Sequence, residues 1–202
     1  MKNGDTICMI KTKDELVYYL KCDKVALMVP ENKKWPSLFD YVWKYEIALR
    51  KAEYYSNRRN LIQKTMYLYW YYKFKKLGFK LNIEIWLNQF GPGLSIAHAG
   101  NIIVNGNARI GCNCRIHEGV TIGATDGHEN AAIIGDNVFI GSGAKIIGEV
   151  TIANNIAIGA GAVVTKSFSE DNITIAGVPA KIISHKGSEK NLIKATEIVK
   201  NK

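Results

Sequence analysis

The chain has 202 residues, 47% of them hydrophobic, enough to bury a core, and its 27 Lys and Arg against 18 Asp and Glu leave a net charge of +9. That excess points to an anionic partner, whether nucleic acid, a membrane surface or a phosphorylated small molecule. The longest aromatic and aliphatic stretch, Met66 to Tyr72, is far short of the ~20 residues that span a bilayer, and Lys11, Lys13, Asp14 and Glu15 interrupt the first twenty residues, so no signal-peptide run is read there and a cytoplasmic location is expected.

Composition divides the chain. All ten tyrosines lie between Tyr18 and Tyr72, and fifteen of the eighteen glycines between Gly91 and Gly177. The boundary falls near residues 80–93, where Gly91-Pro92-Gly93 breaks the chain. We read 1–87 as a helical region, 88–184 as a second domain and 185–202 as a tail. Lys13 to Lys21 is a short amphipathic stretch. Leu38 to Lys51 carries Leu38, Tyr41, Val42, Tyr45 and Leu49 at helical spacing, and Asn60 to Phe79 repeats the pattern with Leu61, Met66, Leu68, Tyr69 and Tyr72. Residues 41–80 hold ten Lys or Arg and two Glu, nearly the whole charge excess. Aromatics interleaved with lysine, as in Tyr69-Trp70-Tyr71-Tyr72-Lys73, suit a membrane-surface helix or a helix packed on partner subunits with its charges in water. Packing is the preferred reading. No motif accompanies the charge that would argue for nucleic acid.

Beyond the boundary the aliphatics recur every six residues. Val104, Ile110, Ile116 and Ile122 are followed by Ile134, Ile140, Ile146, Ile152, Ile158 and Val164. A small or β-branched residue sits four places after most of them: Ala108, Cys114, Val120, Val138, Ala144, Val150, Ile156 and Ala162. A period of six fits a parallel β-helix whose turn is three short strands joined at corners, the aliphatics pointing into a narrow interior. A β-sandwich would show turns every 8–12 residues and no fixed phase.

One rung is missing. Position 128 is histidine, inside the polar segment Ala124 to Asn130. Such a segment cannot line a dry core, so a loop extruded from the wall is expected, with function concentrated in it. His98 falls six residues before Val104, at a nominal core position, so either the ladder starts later or that imidazole is special. His117 follows Ile116 and should face outward, and His185 lies beyond the repeat. Cys8, Cys22, Cys112 and Cys114 include no C-x-x-C pair and read as free thiols.

Residues 88–184 resemble the serine O-acetyltransferases of the hexapeptide-repeat superfamily. The carriers are Pro92-Gly93-Leu94-Ser95-Ile96-Ala97-His98-Ala99-Gly100, Ile116-His117-Glu118-Gly119-Val120-Thr121-Ile122-Gly123, Ile140-Gly141-Ser142-Gly143-Ala144, Ile158-Gly159-Ala160-Gly161 and Ala176-Gly177-Val178-Pro179-Ala180-Lys181. The resemblance implies a left-handed β-helix preceded by helices, homotrimers that can pair, acetyl-CoA as co-substrate, and a small-molecule hydroxyl acceptor. It places the general base at His98, with His128 orienting the acceptor or stabilising the oxyanion. His117 and Asp126 would contact the acceptor. Gly141, Ser142, Gly159 and Ala160 would let the pantetheine arm approach the backbone, and Lys166 and Lys181 would meet the phosphates. No resident metal is expected.

Two positions depart from the family pattern. The acid usually found before the base is Ala97 here, leaving Asp126 or Glu118 to orient the ring. The arginine expected before the loop histidine is Gly127, which removes a reader of a substrate carboxylate. Thr125-Asp126-Gly127-His128 also resembles the loop of sugar acetyltransferases, in which His128 would be the base. Serine and a sugar of surface-polysaccharide synthesis therefore stay open as acceptors.

Overall fold

A computed structural model of the protein describes residues 9–57, 60–125 and 130–201. Three helices come first: α1 (Lys13–Ala26), α2 (Tyr41–Ser56) and α3 (Leu61–Leu81). Thr12 and Glu15 form a reciprocal capping box at the start of α1, and Asn60 caps α3 through the Gln63 N–H. The first helix runs five residues beyond the predicted Lys21, and the second begins at Tyr41 instead of Leu38. Leu38 and Phe39 form a turn after Pro36, and the Asp40 carboxylate accepts the Ser37 N–H across it ahead of the helix.

Short strands follow: β1 (Ile83–Glu84), β2 (Ser95–Ile96), β3 (Ile102–Val104), β4 (Arg109–Ile110), β5 (Arg115–Ile116), β6 (Thr121–Gly123), β7 (Ile133–Ile134), β8 (Phe139–Ile140), β9 (Lys145–Ile147), β10 (Thr151–Ile152), β11 (Ala157–Ile158), β12 (Val163–Val164), β13 (Thr174–Ala176) and β14 (Lys181–Ser184). From β2 to β12 the chain visits three sheets in strict rotation. The first face is β1-β3-β6-β9-β12, the second β4-β7-β10, and the third β2-β5-β8-β11-β13-β14. All pairs are parallel except β13 with β14. The ten six-residue aliphatics and their small companions are all buried, as the period requires.

The register explains both irregularities. Ordinary coils place partners eighteen residues apart, as in Ile103 with Thr121 and Phe139 with Ala157. Across the interruption the spacing is twenty-four: Arg109 pairs with Ile133, Arg115 with Phe139 and Thr121 with Lys145. Six more residues lie between β6 and β7 than in an ordinary coil, and residues 126–129 of the predicted loop lie outside the described residues. In the first coil Ile96 pairs with Ile116, twenty residues on. The two extra residues lie between Ile96 and Val104, so Ile96 fills the rung and His98 is exposed. The nominal core position of His98 is thus corrected by a slip of phase, not by a later start.

At one corner Asn113, Asn137 and Asn155 adopt the left-handed conformation, φ 55°, 57° and 56°, which asparagine tolerates better than other side chains. Their amides form a ladder, Asn113 donating to Asn137 at 2.8 Å and Asn137 to Asn155 at 2.9 Å.

The helices cover the first edge of the coil. A bare edge exposes backbone groups that would pair with another chain. Here buried side chains satisfy them. Arg50 donates to the carbonyls of Phe90 (2.8 Å) and Gly91 (2.7 Å). Asp23 accepts from the N–H groups of Gly93 (2.8 Å) and Leu94 (2.9 Å), Glu46 from Ile96 (3.0 Å) and Glu53 from Asn88 (2.8 Å). Arg50 also pairs with Asp23 (2.7 Å) and Glu53 (3.1 Å). At the other edge β14 folds back antiparallel on β13. The residues after 184 include α4 (Ala195–Lys200), whose Ala195 packs against Cys22 and Ala26 of α1. Cys22, Cys112 and Cys114 form no disulfide among the described residues, and Cys8 lies outside them. Among the described residues no helix is long and apolar enough to cross a membrane.

Candidate active site

The residues that follow each strand of the third face line one edge of the solenoid. His98 follows β2, His117 and Glu118 follow β5, Gly141 and Ser142 follow β8, and Gly159 and Ala160 follow β11. Backbone bonds of 2.8 Å tie the successive turns together: Gly119 N–H to Gly100 O, Gly143 N–H to Glu118 O, and Gly161 N–H to Ser142 O. Most of the predicted site residues that the structure describes therefore share one ridge.

Its N-terminal part concentrates the titratable groups. The rings of His98 and His117 meet edge to face, centroids 5.9 Å apart, and Phe139 of β8 backs His117 at 5.1 Å. Glu118 Oε2 lies 3.8 Å from His117 Nδ1, an ion-pair distance and not a hydrogen bond. That oxygen is screened from solvent and accepts no hydrogen bond among the described residues. One ligand atom from each of His98, His117 and Glu118 falls within 4.8 Å of the others.

Partial burial, then the charge of Arg115, lowers the pKa of His117; Glu118 opposes the shift and His98 adds to it. The shift favours the neutral imidazole. The Glu118 carboxyl is held below the usual carboxylate range, first by the Ser142 side chain and its own backbone, then by the two histidines. Ala97 spends its N–H on the Ile116 carbonyl at 2.9 Å and has no polar side chain to orient His98.

Further along the ridge the turns press close. A Cβ on Gly141 would stand 2.7 Å from the Ala160 nitrogen, so only glycine fits there. Lys166 and Lys181 lie elsewhere, at the C-terminal end of the coil. They line a concavity of about 380 Å³ with Phe168, Glu170, Ile173 and Ile182. Lys166 Nζ stands 5.4 Å from the Phe168 ring centroid, and Glu170 pairs with the exposed tail residue His185 at 2.8 Å. Asp126 and His128 lie outside the described residues.

Sequence reasoning missed Arg115, Phe139 and Lys145. Arg115 donates to Ser95 Oγ at 2.9 Å, and Lys145 reaches the Gly119 carbonyl at 2.6 Å and Thr121 Oγ1 at 2.9 Å. The available signal was position: Ser95, Arg115 and Phe139 each precede a core isoleucine of the third face and so point outward beside the ridge.

The family model described as bacterial transferase hexapeptide (six repeats) matches residues 131–166. Serine acetyltransferase of Synechococcus elongatus is 34% identical over 101 residues, 49% of this chain and 41% of that protein. That of Staphylococcus xylosus is 40% identical over 102 residues, 49% of this chain and 46% of that protein. The chain thus spans less than half the length of these relatives. Among solved structures, serine acetyltransferase of Brucella abortus superposes with a TM-score of 0.66 at 29% identity, covering 87% of this chain and 72% of that one. The same organism's enzyme in complex with coenzyme A gives 0.60 at 26%, covering 86% and 68%. Residues 131–166 thus match the hexapeptide transferase model, and the chain is similar to the serine acetyltransferases.

Proposed function

We propose that the protein is an acetyl-CoA-dependent O-acetyltransferase, with serine as the first acceptor to consider, acting in cysteine synthesis. One observation carries the reading: two histidines and a carboxylate converge on the ridge that continues through the tight turns at Gly141-Ser142 and Gly159-Ala160. Relatives named serine acetyltransferase, one of them solved with coenzyme A, support it.

A hydroxyl is a weak nucleophile at neutral pH. In this reading its oxygen attacks the thioester carbonyl carbon while His98 takes its proton. The tetrahedral intermediate collapses by breaking the C–S bond, and the proton returns to the departing thiolate of coenzyme A. Glu118 takes the orienting part that an acid at Ala97 would have played, acting through His117. The pantetheine arm lies along Gly141, Ser142, Gly159 and Ala160, with its phosphates toward Lys166 and Lys181. His128 and Asp126 enter from the extruded loop. The coil is left-handed, and trimers, singly or paired, supply sites between neighbouring subunits in the cytoplasm.

A sugar hydroxyl is the second acceptor. Ala97 and Gly127 favour it, since neither the usual acid nor an arginine reader of a carboxylate is present. Thiol release from acetyl-CoA, compared with serine and with a panel of sugars, tests both. Release stimulated by serine alone supports the first, by a sugar alone the second; no stimulated release by any of them sinks the reading.

A further inference from the structure

The outward face of α3 is an amphipathic stripe. Leu61, Leu68, Tyr72 and Phe79, at helical spacing, are 80%, 65%, 63% and 93% exposed. They lie opposite the residues that pack inward, Trp70, Phe74, Leu77 and Leu81. Lys64 and Lys75 flank the stripe on one side, and Lys73, Lys76 and Lys80 on the other. The 21 residues of α3 include no acid, and none of these five lysines forms an ion pair among the described residues. Instead Lys76 rests on Tyr72 (5.8 Å), Lys73 on Tyr69 (4.8 Å), Lys75 on Trp86 (5.0 Å) and Lys80 on Tyr41 (4.0 Å). The last contact sets the C-terminal end of α3 beside the segment before α2, where Trp35, Leu38 and Phe39 are 79%, 70% and 78% exposed.

We propose that this face docks on the surface of a bilayer containing anionic phospholipid. The apolar stripe would sit among the upper acyl chains, with the lysines reaching headgroup phosphates. The charge decides the occupant. A second copy related by a two-fold axis would set lysine against lysine across the contact. A nucleic-acid backbone would require the charges, not the apolar side chains, at the centre of the face. A lipid surface offers an apolar interior beneath a negative rim, which matches the order of groups across α3. The proposal is independent of the acetyl-transfer reading.

Co-sedimentation of the full chain with vesicles tests it. Vesicles of phosphatidylcholine with one third phosphatidylglycerol should carry the protein down at low salt; high salt or pure phosphatidylcholine should release most of it. Lys75→Gln with Lys76→Gln should lower partition roughly thirtyfold, at about 1 kcal/mol per charge near such a surface. Tyr72→Ser with Phe79→Ser should weaken binding at every salt concentration. All four side chains are exposed, so the variants should keep the wild-type circular dichroism and melting temperature. Failure to bind anionic vesicles at low salt overturns the proposal, as does equal binding to neutral ones. It is also overturned if the Tyr72/Phe79 variant converts a larger assembly to a smaller one in sedimentation velocity, or if the lysine variant loses binding to a short duplex but not to vesicles.

Discussion

His117 sits where several charges compete for its proton. Burial and Arg115 push the proton off, and Glu118 draws it back. Glu118→Gln removes the one influence that raises the pKa, so the His117 imidazole should titrate at lower pH than in the wild type, as followed by its ring resonances in NMR. An unchanged midpoint would remove Glu118 from the ring's electrostatics. If His98 is the base, His98→Ala should lower turnover by about 10²- to 10⁴-fold in the thiol-release assay. If the base is on the loop, His128→Ala should produce that loss instead. Small, equal losses for both variants would sink both assignments. At this scale the sequence carried a good deal. His98, His117 and Glu118 were nameable from motifs, but the slip of phase that exposes His98 was not. Two extra residues between Ile96 and Val104 leave no mark in a six-residue pattern read from Val104 onward.

At the scale of elements, the six-residue insertion between β6 and β7 is separable from the wall. Thr121 pairs with Lys145 and Arg109 with Ile133 across it, so the coil closes without its help. Excising residues 125–130 restores eighteen-residue spacing. The variant should keep its circular dichroism and melt within a few degrees of the wild type, while losing turnover if the loop supplies the second histidine. The solenoid was legible because each rung repeats the same demand: an aliphatic inward, a small residue four places on. The helices were legible only in outline. Their apolar spacing showed where they run, but the boundary of α2 rests on a local turn made by Pro36, Ser37 and Asp40, and the C-terminal end of α1 on packing with α2 and α4.

Over the whole molecule, the union of helices and coil depends on charges that no apolar pattern reveals. Arg50 is fully buried, and its partners Asp23 and Glu53 are nearly or fully so. Removing one member of such a set leaves the others uncompensated, so Arg50→Met should cost about 3–5 kcal/mol, seen as a lower urea midpoint. Burial raises the pKa of all three acids, but Glu46 forms no ion pair with Arg50 among the described residues. Burial first, then the charge of Asp23, raises its carboxyl pKa well above the ordinary range, against the hydrogen bond from Ile96. The folded state therefore keeps a proton that the unfolded chain releases near pH ~4.3. Stability from that proton is complete below the unfolded pKa and declines as pH rises toward the folded one. Glu46→Gln retains an acceptor for the Ile96 N–H and should flatten that decline, raising the melting temperature at pH 7 but not at pH 4. In the sequence these residues look like ordinary helix charges; only the edge they cover gives them their role.

That covering has a consequence for assembly. A stack of parallel coils is a short length of the same ladder that builds amyloid, and each open end would template the next strand. In this chain one end is capped by side chains that have already spent their hydrogen bonds on it, and at the other the third face closes on a strand running the wrong way. The ladder is finite by construction, so the molecule can associate through its flanks without extending into a fibre along its axis.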